Sequence, residues 1–569
     1  MKRLRHICST FVFRNRLLRG ASRRRDFEGA KPASRIRFKD LITALSLSNL
    51  CFLAAWRSVI YPPDPHGYHL TEHTVWRSSV GLMIDVLILA TLFWASYAIA
   101  RSLRKGPLLA LARWGFLFAT FVALDGVRRQ FFGPVTAPAF ISVVGKPAFI
   151  ALLAAGALLI VFTLARHSRR VISIARAIIL IFSPFALMTF SQTTWSLVKS
   201  HPANAAAKNK SAADASDKTR PAARVLWVIF DEFDNHAAFT ERPSSIELPE
   251  LDRLRAESIV AANAYPPAKW TMISIPALIT GRLIAEAQPS SYNELALKFD
   301  GAREPVGWSA QPNVFSRARE IGAKSALVGW YHPYCRVIGG DLNNCSFNVV
   351  ANETESLNQR LYQSMVEHFR TIGRAAPVIR EVLPKTLKTG RRWELTYIDN
   401  LKRMSKESAA AAADGELSLV MIHFPAPHFP CQYDRRKDDF AVKSACNYFD
   451  NLKLVDRTFG DLRRAMERAG WWDNTVVLVS SDHWWRTEIW PKNQSWTEEE
   501  QAVKSKDTDN HVPFMLKLKG QKESLIYQPA FNTVLSQELI LALLRGELSK
   551  PADVTAWLDR RRSIGKSPY

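Results

Sequence analysis

No C-x-x-C pair occurs anywhere in the 569 residues, although six cysteines are present. That absence removes the commonest ligand spacing of a structural zinc site. Acidic residues are scarce at the front of the chain. Residues 1–200 hold 7 Asp and Glu against 27 Lys and Arg, whereas residues 201–569 are nearly balanced at 45 against 49. Most of the formal net charge of +24 therefore lies in the first 200 residues, among long apolar runs. A basic excess confined to a hydrophobic half fits membrane topology rather than DNA or RNA, so no nucleic-acid partner is expected. Basic residues are themselves missing from residues 61–73, an acidic and aromatic stretch. No short apolar core follows a compact basic leader, and no cleavable signal peptide is expected.

What is present first is five apolar stretches, at residues 41–60, 80–100, 107–124, 147–165 and 171–192. Each is near the ~20 residues a bilayer requires. Arg113 interrupts the third and Arg57 lies near the outer end of the first, where long side chains snorkel to the interface. Basic residues mark alternate connections: 13 in the first 40 residues, then Arg101, Arg104 and Lys105, then Arg166, Arg169 and Arg170. The positive-inside rule puts the N-terminus in the cytoplasm and everything after the fifth stretch outside. Arg128 and Arg129 run against that pattern. The expected organisation is a basic cytoplasmic arm (1–40), a five-helix membrane domain (41–198), a linker (199–223) and an extracytoplasmic domain (224–569). The protein would sit in the inner, cytoplasmic membrane with its last domain in the periplasm. Residues 201–223, rich in Ala, Lys, Ser, Asp and Asn without apolar period, read as the linker.

Four cysteines, Cys335, Cys345, Cys431 and Cys446, fall in the last domain. An oxidising compartment and an even count favour the disulfides Cys335–Cys345 and Cys431–Cys446, with zinc ligation as the rival reading.

In that domain apolar runs at 225–230, 325–330, 417–423 and 475–480 read as buried strands. Helical patterns at 248–257, 314–321 and 448–469 alternate with them. The expected fold is an α-helical transmembrane bundle followed by an α/β domain with a mainly parallel central sheet. Ligands bind beyond the carboxyl ends of such strands. There the sequence delivers Asp231-Glu232, His332, His428 and Asp482-His483. Carboxylates and imidazoles arriving from separate strands suit a divalent metal. Any one of them alone reads more readily as a loop carboxylate or half-buried His.

The stretch at 261–281, AANAYPPAKWTMISIPALITG, supplies a hydroxyl. Pro266 and Pro267 break the chain, and Thr271 falls near the start of a short helix interrupted or re-entered at Pro276. A hydroxyl there meets backbone N–H donors suited to a phosphate or sulfate oxygen; the alternative is a simple N-cap. Lys269, two residues earlier, could neutralise a phosphate or be a surface lysine.

These segments resemble the alkaline phosphatase superfamily, particularly its sulfatase-like branch, over most of residues 224–520. LPELDRLRAES at 248–258 resembles the helix after the first metal strand, and KSALVGWYH at 324–332 the Gly-Lys-Trp-His segment. HFPAPHFP at 423–430 resembles the Pro-His-x-Pro loop, and SSDH at 480–483 the second metal strand. Sulfatases carry C-x-P-x-R with Thr-Gly nine and ten residues after the Cys. Thr280-Gly281 stand nine and ten after Thr271, so Thr271 takes the formylglycine position with no Cys or Ser to oxidise. Ile273 and Ile275 replace the Pro and Arg, and Trp330 replaces the sulfate-binding Lys. Sulfatase activity is therefore not expected. T-x-x-S-x-P at 271–276 instead resembles the phosphoethanolamine transferases. HVP at 511–513 resembles their substrate-side His segment, which points to His511. The membrane helices also resemble those of the lipoteichoic acid synthases. Trp484 stands where the family has Gly, and its bulk is expected at the substrate mouth.

The resemblance implies a divalent metal, zinc first and manganese or calcium as alternatives, held by Asp231, Glu232, Asp482 and His483. Thr271 would take a phosphoethanolamine or phosphoglycerol headgroup from a membrane phospholipid and pass it to an envelope glycan or lipid. His332, His428 and His511 would bind phosphate oxygens, act as acid–base groups or hold a second metal. Lys269, Trp330 and Trp484 would contact substrate. A metal-dependent phosphodiesterase, phosphatase or sulfatase-like hydrolase is the second reading, and a catalytically degenerate envelope sensor the third. The oligomeric state stays open.

Overall fold

Alternate residues of the first strand face opposite sides of one sheet. Val225, Trp227 and Ile229 join one apolar cluster, and Leu226, Val228 and Phe230 join another. A strand that is apolar on both faces must lie inside a sheet covered on both sides. The computed structural model bears this out. It describes residues 38–60, 68–69, 72–102, 106–132, 146–199, 221–348, 361–375, 393–441, 446–488, 496–504 and 510–562.

The main sheet has eight strands: β1 (Arg224–Phe230), β2 (Ile259–Ala261), β3 (Ser325–Trp330), β4 (Asn344–Asn348), β5 (Leu419–Phe424), β6 (Thr475–Ser481), β7 (Phe514–Lys517) and β8 (Leu525–Tyr527). Their order across the sheet is β8-β2-β7-β6-β1-β5-β3-β4. Only β7 runs antiparallel to its neighbours β6 and β2. The α/β domain with a mainly parallel central sheet is thus present, with β1 and its partners β5 and β6 at the centre. Helices Pro249–Ala256 and Tyr448–Arg468 form where amphipathic patterns were read. The helix Thr271–Thr280 runs unbroken through Pro276, contrary to the expected interruption, and ends at Gly281 in the left-handed conformation (φ 68°). Disulfides join Cys335 to Cys345 and Cys431 to Cys446.

Before this domain, among the described residues, three helices are long and apolar enough to cross a membrane: Trp76–Ile99, Pro107–Arg129 and Arg170–Trp195. The first apolar stretch folds as Phe38–Cys51 and Leu53–Ile60, bent by 67°, which counts as a fourth span if taken as one. The fourth stretch lies in helix Lys146–Ile181, where most side chains up to residue 165 fall outside the described residues. The basic turn expected around Arg166 to Arg170 is helical, broken at His167 (φ −123°, ψ 23°). Arg128 and Arg129, on the wrong side of the charge pattern, both pair with Asp125, at 2.8 and 2.7 Å. One carboxylate thus serves both guanidiniums. The basic arm up to residue 37 and linker residues 200–220 lie outside the described residues.

Candidate active site

Parallel register brings the carboxylates together. Phe230 at the end of β1 pairs with Ser481 at the end of β6, so the next residues, Asp231 and Asp482, leave adjacent strand ends side by side. Asp231, Asp482 and His483 are all buried, and one ligand atom from each lies within 4.8 Å of the others.

Backbone amides set the carboxylate of Asp482. Glu232 N–H and His483 N–H donate to its Oδ1 at 3.2 and 2.9 Å. That leaves Oδ2 buried without a hydrogen-bond partner, as is Asp231 Oδ1. The two oxygens lie 3.4 and 3.3 Å from His483 Nε2. His483 Nδ1 is 3.0 Å from the Trp484 carbonyl, an acceptor only, so Nδ1 carries the proton. Nε2 faces both carboxylates, an arrangement satisfied by a proton on that nitrogen or by a cation among the three groups. Two carboxylates plus an imidazole whose far nitrogen is fixed by a carbonyl make a donor set that fits a divalent metal.

Thr271 is the first residue of its helix and 6 % exposed. Its Oγ1 lies 3.1 Å from the same His483 Nε2. Ser274, one turn on, donates to the Asp482 carbonyl at 2.6 Å and ties this helix to β6. A hydroxyl and three metal-type donors therefore share one buried focus.

Charge within the group is mutually reinforcing. Burial alone would raise the Asp231 pKa, but His428 and the close His483 imidazole hold it well below the usual carboxylate range. Burial alone would lower the His483 pKa, yet Asp482 and Asp231 raise it above its ordinary value.

Several expected site residues take other roles. Glu232, left-handed at φ 65°, is not among the three residues whose ligand atoms cluster within 4.8 Å. Its Oε1 accepts from Arg486 N–H and Nε–H at 3.1 and 3.2 Å. His332 has no exposed surface for substrate. Its Nε2–H donates to the Thr271 carbonyl at 3.1 Å, and its Nδ1 accepts from the Tyr68 hydroxyl at 2.9 Å. Burial drives its pKa well below 6.5 despite that carbonyl, so the ring is neutral. Both ring nitrogens of His332 are thus engaged, one of them on the backbone of Thr271. His428 does face outward, 34 % exposed, with Nε2 3.9 Å from Glu232 Oε2. The His511 ring packs edge-on against Tyr265 at 4.4 Å, and its carbonyl accepts from Asn235 N–H. Lys269 is ion-paired with Glu488 at 2.7 Å, so a phosphate would have to compete for it.

The tryptophans are core residues. Trp484 is 5 % exposed and joins the apolar cluster on one face of the sheet, so its bulk is not at a substrate mouth. Trp485 stacks on Tyr448 in the other cluster, at 4.2 Å and 18°. Trp330 is 8 % exposed and packs against Tyr397. Its carbonyl receives a hydrogen bond from His423 Nδ1 at 3.0 Å.

Three residues at the site went unread in the sequence. Arg486 bonds Glu232, donates to the Lys269 carbonyl at 3.2 Å and lies over the Trp270 ring at 5.1 Å. A cation three positions after Asp-His was its only signal. His423 is fully buried, and Tyr68 comes from the membrane half, where nothing in the local sequence marks it.

A family model described as Sulfatase matches residues 223–541. Among curated proteins no match is found. Solved structures similar to this chain include Ps i-CgsB, at 15 % identity and TM-score 0.40, over 62 % of this chain and 78 % of that one. The phosphonate monoester hydrolase SpPMH from Silicibacter pomeroyi is similar at 15 % identity and TM-score 0.36, over 57 % and 73 %. The lipoteichoic acid synthase LtaP from Listeria monocytogenes is similar at 12 % identity and TM-score 0.33, over 58 % and 73 %.

Proposed function

We propose, on the premise that this chain belongs to the sulfatase family, that it is a membrane-anchored, metal-dependent transferase. It moves a phospho-headgroup, phosphoethanolamine or phosphoglycerol, from a phospholipid through Thr271 to a hydroxyl or phosphate of an envelope glycan or lipid. The observation that supports this best is Thr271 Oγ1 standing 3.1 Å from His483 Nε2, a nitrogen that also faces both buried carboxylates. Thr271 stands where sulfatases carry an oxidisable Cys or Ser, so the aldehyde hydrate of sulfatase chemistry has no precursor here. Sulfatase-like hydrolysis is accordingly the weaker reading.

Asp231, Asp482 and His483 are the residues that would hold the metal, zinc by resemblance, which when bound supplies Lewis acidity at the phosphoryl oxygen and the Thr271 hydroxyl. Thr271 Oγ1 forms the new bond to phosphorus as the bond from phosphorus to the diacylglycerol oxygen breaks. The hydroxyl proton is lost from Thr271, and diacylglycerol leaves with a proton. The acceptor oxygen then displaces Thr271, which regains one. His332 holds the Thr271 carbonyl throughout, and the helix N-terminus turns its first amides toward the phosphoryl oxygens. His428, the exposed imidazole, is placed to exchange protons with solvent.

The apolar helices anchor the protein in a membrane. The charge asymmetry of the first 200 residues supports the inner membrane, with the N-terminus cytoplasmic and the α/β domain in the periplasm. The two disulfides agree with an oxidising compartment.

Mass spectrometry of the full-length protein, incubated with vesicles of mixed phospholipids, tests the proposal. A headgroup mass on Thr271, absent from Thr271→Ala, is expected. Metal-loaded protein that consumes no phospholipid but releases phosphate or sulfate from soluble esters would show a hydrolase instead.

A further inference from the structure

The helix Leu361–Ala375 belongs by sequence to the α/β half, between β4 and β5, yet it packs on the membrane helices. Leu361, Met365, His368 and Ile372 recur at the spacing of one helix face. Ile372 enters the apolar cluster of Phe52, Trp56, Leu82 and Val86, and Phe369 meets Phe52 edge-on at 5.1 Å. A Cβ on Gly81 would stand 3.3 Å from Met365 Cγ, 3.4 Å from Leu361 Cδ1 and 3.6 Å from His368 Cε1. A glycine there lets the two helices approach closely, as small residues do between helices in lipid.

At the centre of this contact lies a buried polar cluster. His368 Nδ1 is 2.8 Å from Asp85 Oδ2, and His368 Nε2 is 3.1 Å from Ser78 Oγ. Ser78, Asp85 and His368 are 8 %, 0 % and 6 % exposed. Ser78 and Asp85 lie on the span Trp76–Ile99. At ~1.5 Å per residue, Asp85 is about 13 Å along the helix from Trp76, inside a hydrocarbon core ~30 Å thick. A carboxylate at that depth requires a partner, and the partner comes from the other half of the chain.

The outward face of this helix is inverted for water. Tyr362, Val366 and Phe369 are 57 %, 37 % and 39 % exposed. Glu367 and Arg370, paired at 3.0 Å, are only 12 % and 19 % exposed. A helix in water shows the reverse; apolar groups outward and charges inward suit a surrounding of acyl chains.

We propose that Leu361–Ala375 is a lipid-immersed helix lent by the α/β half to the membrane bundle. Tyr362, Val366 and Phe369 contact acyl chains, and His368 is latched to Asp85 and Ser78. The helix follows β4, whose last residue Asn348 pairs with Trp330, and precedes helix Trp393–Ala413, whose Tyr397 packs on Trp330. Both ends of the immersed segment thus lead back to one strand end of the site.

Single cysteines test it in the full-length chain carrying Cys8→Ser and Cys51→Ser. Tyr362→Cys, Val366→Cys and Phe369→Cys, each bearing bimane, are reconstituted in phosphatidylcholine vesicles containing chain-brominated lipid. Strong quenching is expected, and the unlabelled thiols should resist a charged maleimide in vesicles. Lys519→Cys, on the exposed far side of the α/β domain, should react freely and stay unquenched. Reaction like Lys519→Cys with no quenching at all three positions would overturn the proposal. Adding Asp85→Ala to Phe369→Cys should speed maleimide labelling several-fold; an unchanged rate would overturn the latch. No readout depends on catalysis, so failure here is distinct from failure of the transferase reading.

Discussion

Asp482 divides its two oxygens between structure and chemistry. Oδ1 takes two backbone amides, and Oδ2 is left to face His483. Asp482→Asn keeps the shape but loses the charge, and is expected to lower metal retained after dialysis by at least about tenfold, measured by elemental analysis. Unchanged metal content would remove Asp482 from the ligand set. Tyr68 acts one step further out, through His332 to the Thr271 carbonyl. Tyr68→Phe removes one hydrogen bond, about 1 kcal/mol, and is expected to slow adduct formation on Thr271 roughly fivefold, with bound metal unchanged. Loss of metal together with activity would mark the contact as purely structural. The Asp and His residues were readable because apolar runs delivered them. Tyr68 was not, because its partner lies 264 positions away and no local pattern announces a contact at that range.

Strand register, rather than composition, makes the site. A one-residue slip between β1 and β6 would turn Asp231 or Asp482 to the other face of the sheet. Buried strands were legible from their apolar runs, but pairing order was not, since all four runs look alike. Trp484 shows the same limit. Its position after Asp-His suggested a mouth residue, whereas the chain beyond β6 sends Trp484 and Trp485 into the cores on opposite faces. Close packing behind the site gives a test at this scale. A Cβ on Gly329 in β3 would collide with the Tyr334 ring, whose hydroxyl meets His423 Nδ1 at 2.7 Å. Gly329→Ala is expected to cost about 1–3 kcal/mol, seen as a lower thermal midpoint together with slower adduct formation. An unshifted midpoint would mean that Tyr334 moves aside freely.

At the scale of the molecule, the two halves meet at Tyr68 with His332 and at Asp85 with His368, so the membrane half reaches the α/β half directly. Buried neutral histidines make stability sensitive to acid. Burial lowers the pKa of both His332 and His423 below 6.5. As pH falls through about 6.5, the unfolded chain takes up protons that these native rings refuse, and stability declines. His483, with its raised pKa, contributes in the opposite sense. His332→Gln, which keeps an N–H for the Thr271 carbonyl, should flatten the loss of thermal stability in detergent below that pH. A slope as steep as that of the native protein would exclude His332 as a source. Apolar runs and charge asymmetry by themselves determined a membrane half and an α/β half, because burial and bilayer insertion depend on local hydrophobicity. The spacing of Thr271 to Thr280-Gly281 aligned it, through the sulfatase resemblance, with the formylglycine position. Only the tertiary structure decided that Glu232 bonds Arg486, that His332 bridges Tyr68 and the Thr271 carbonyl, and that a helix of the α/β half lies against the spans. Each of those depends on contacts between distant segments, which packing creates and local sequence does not encode.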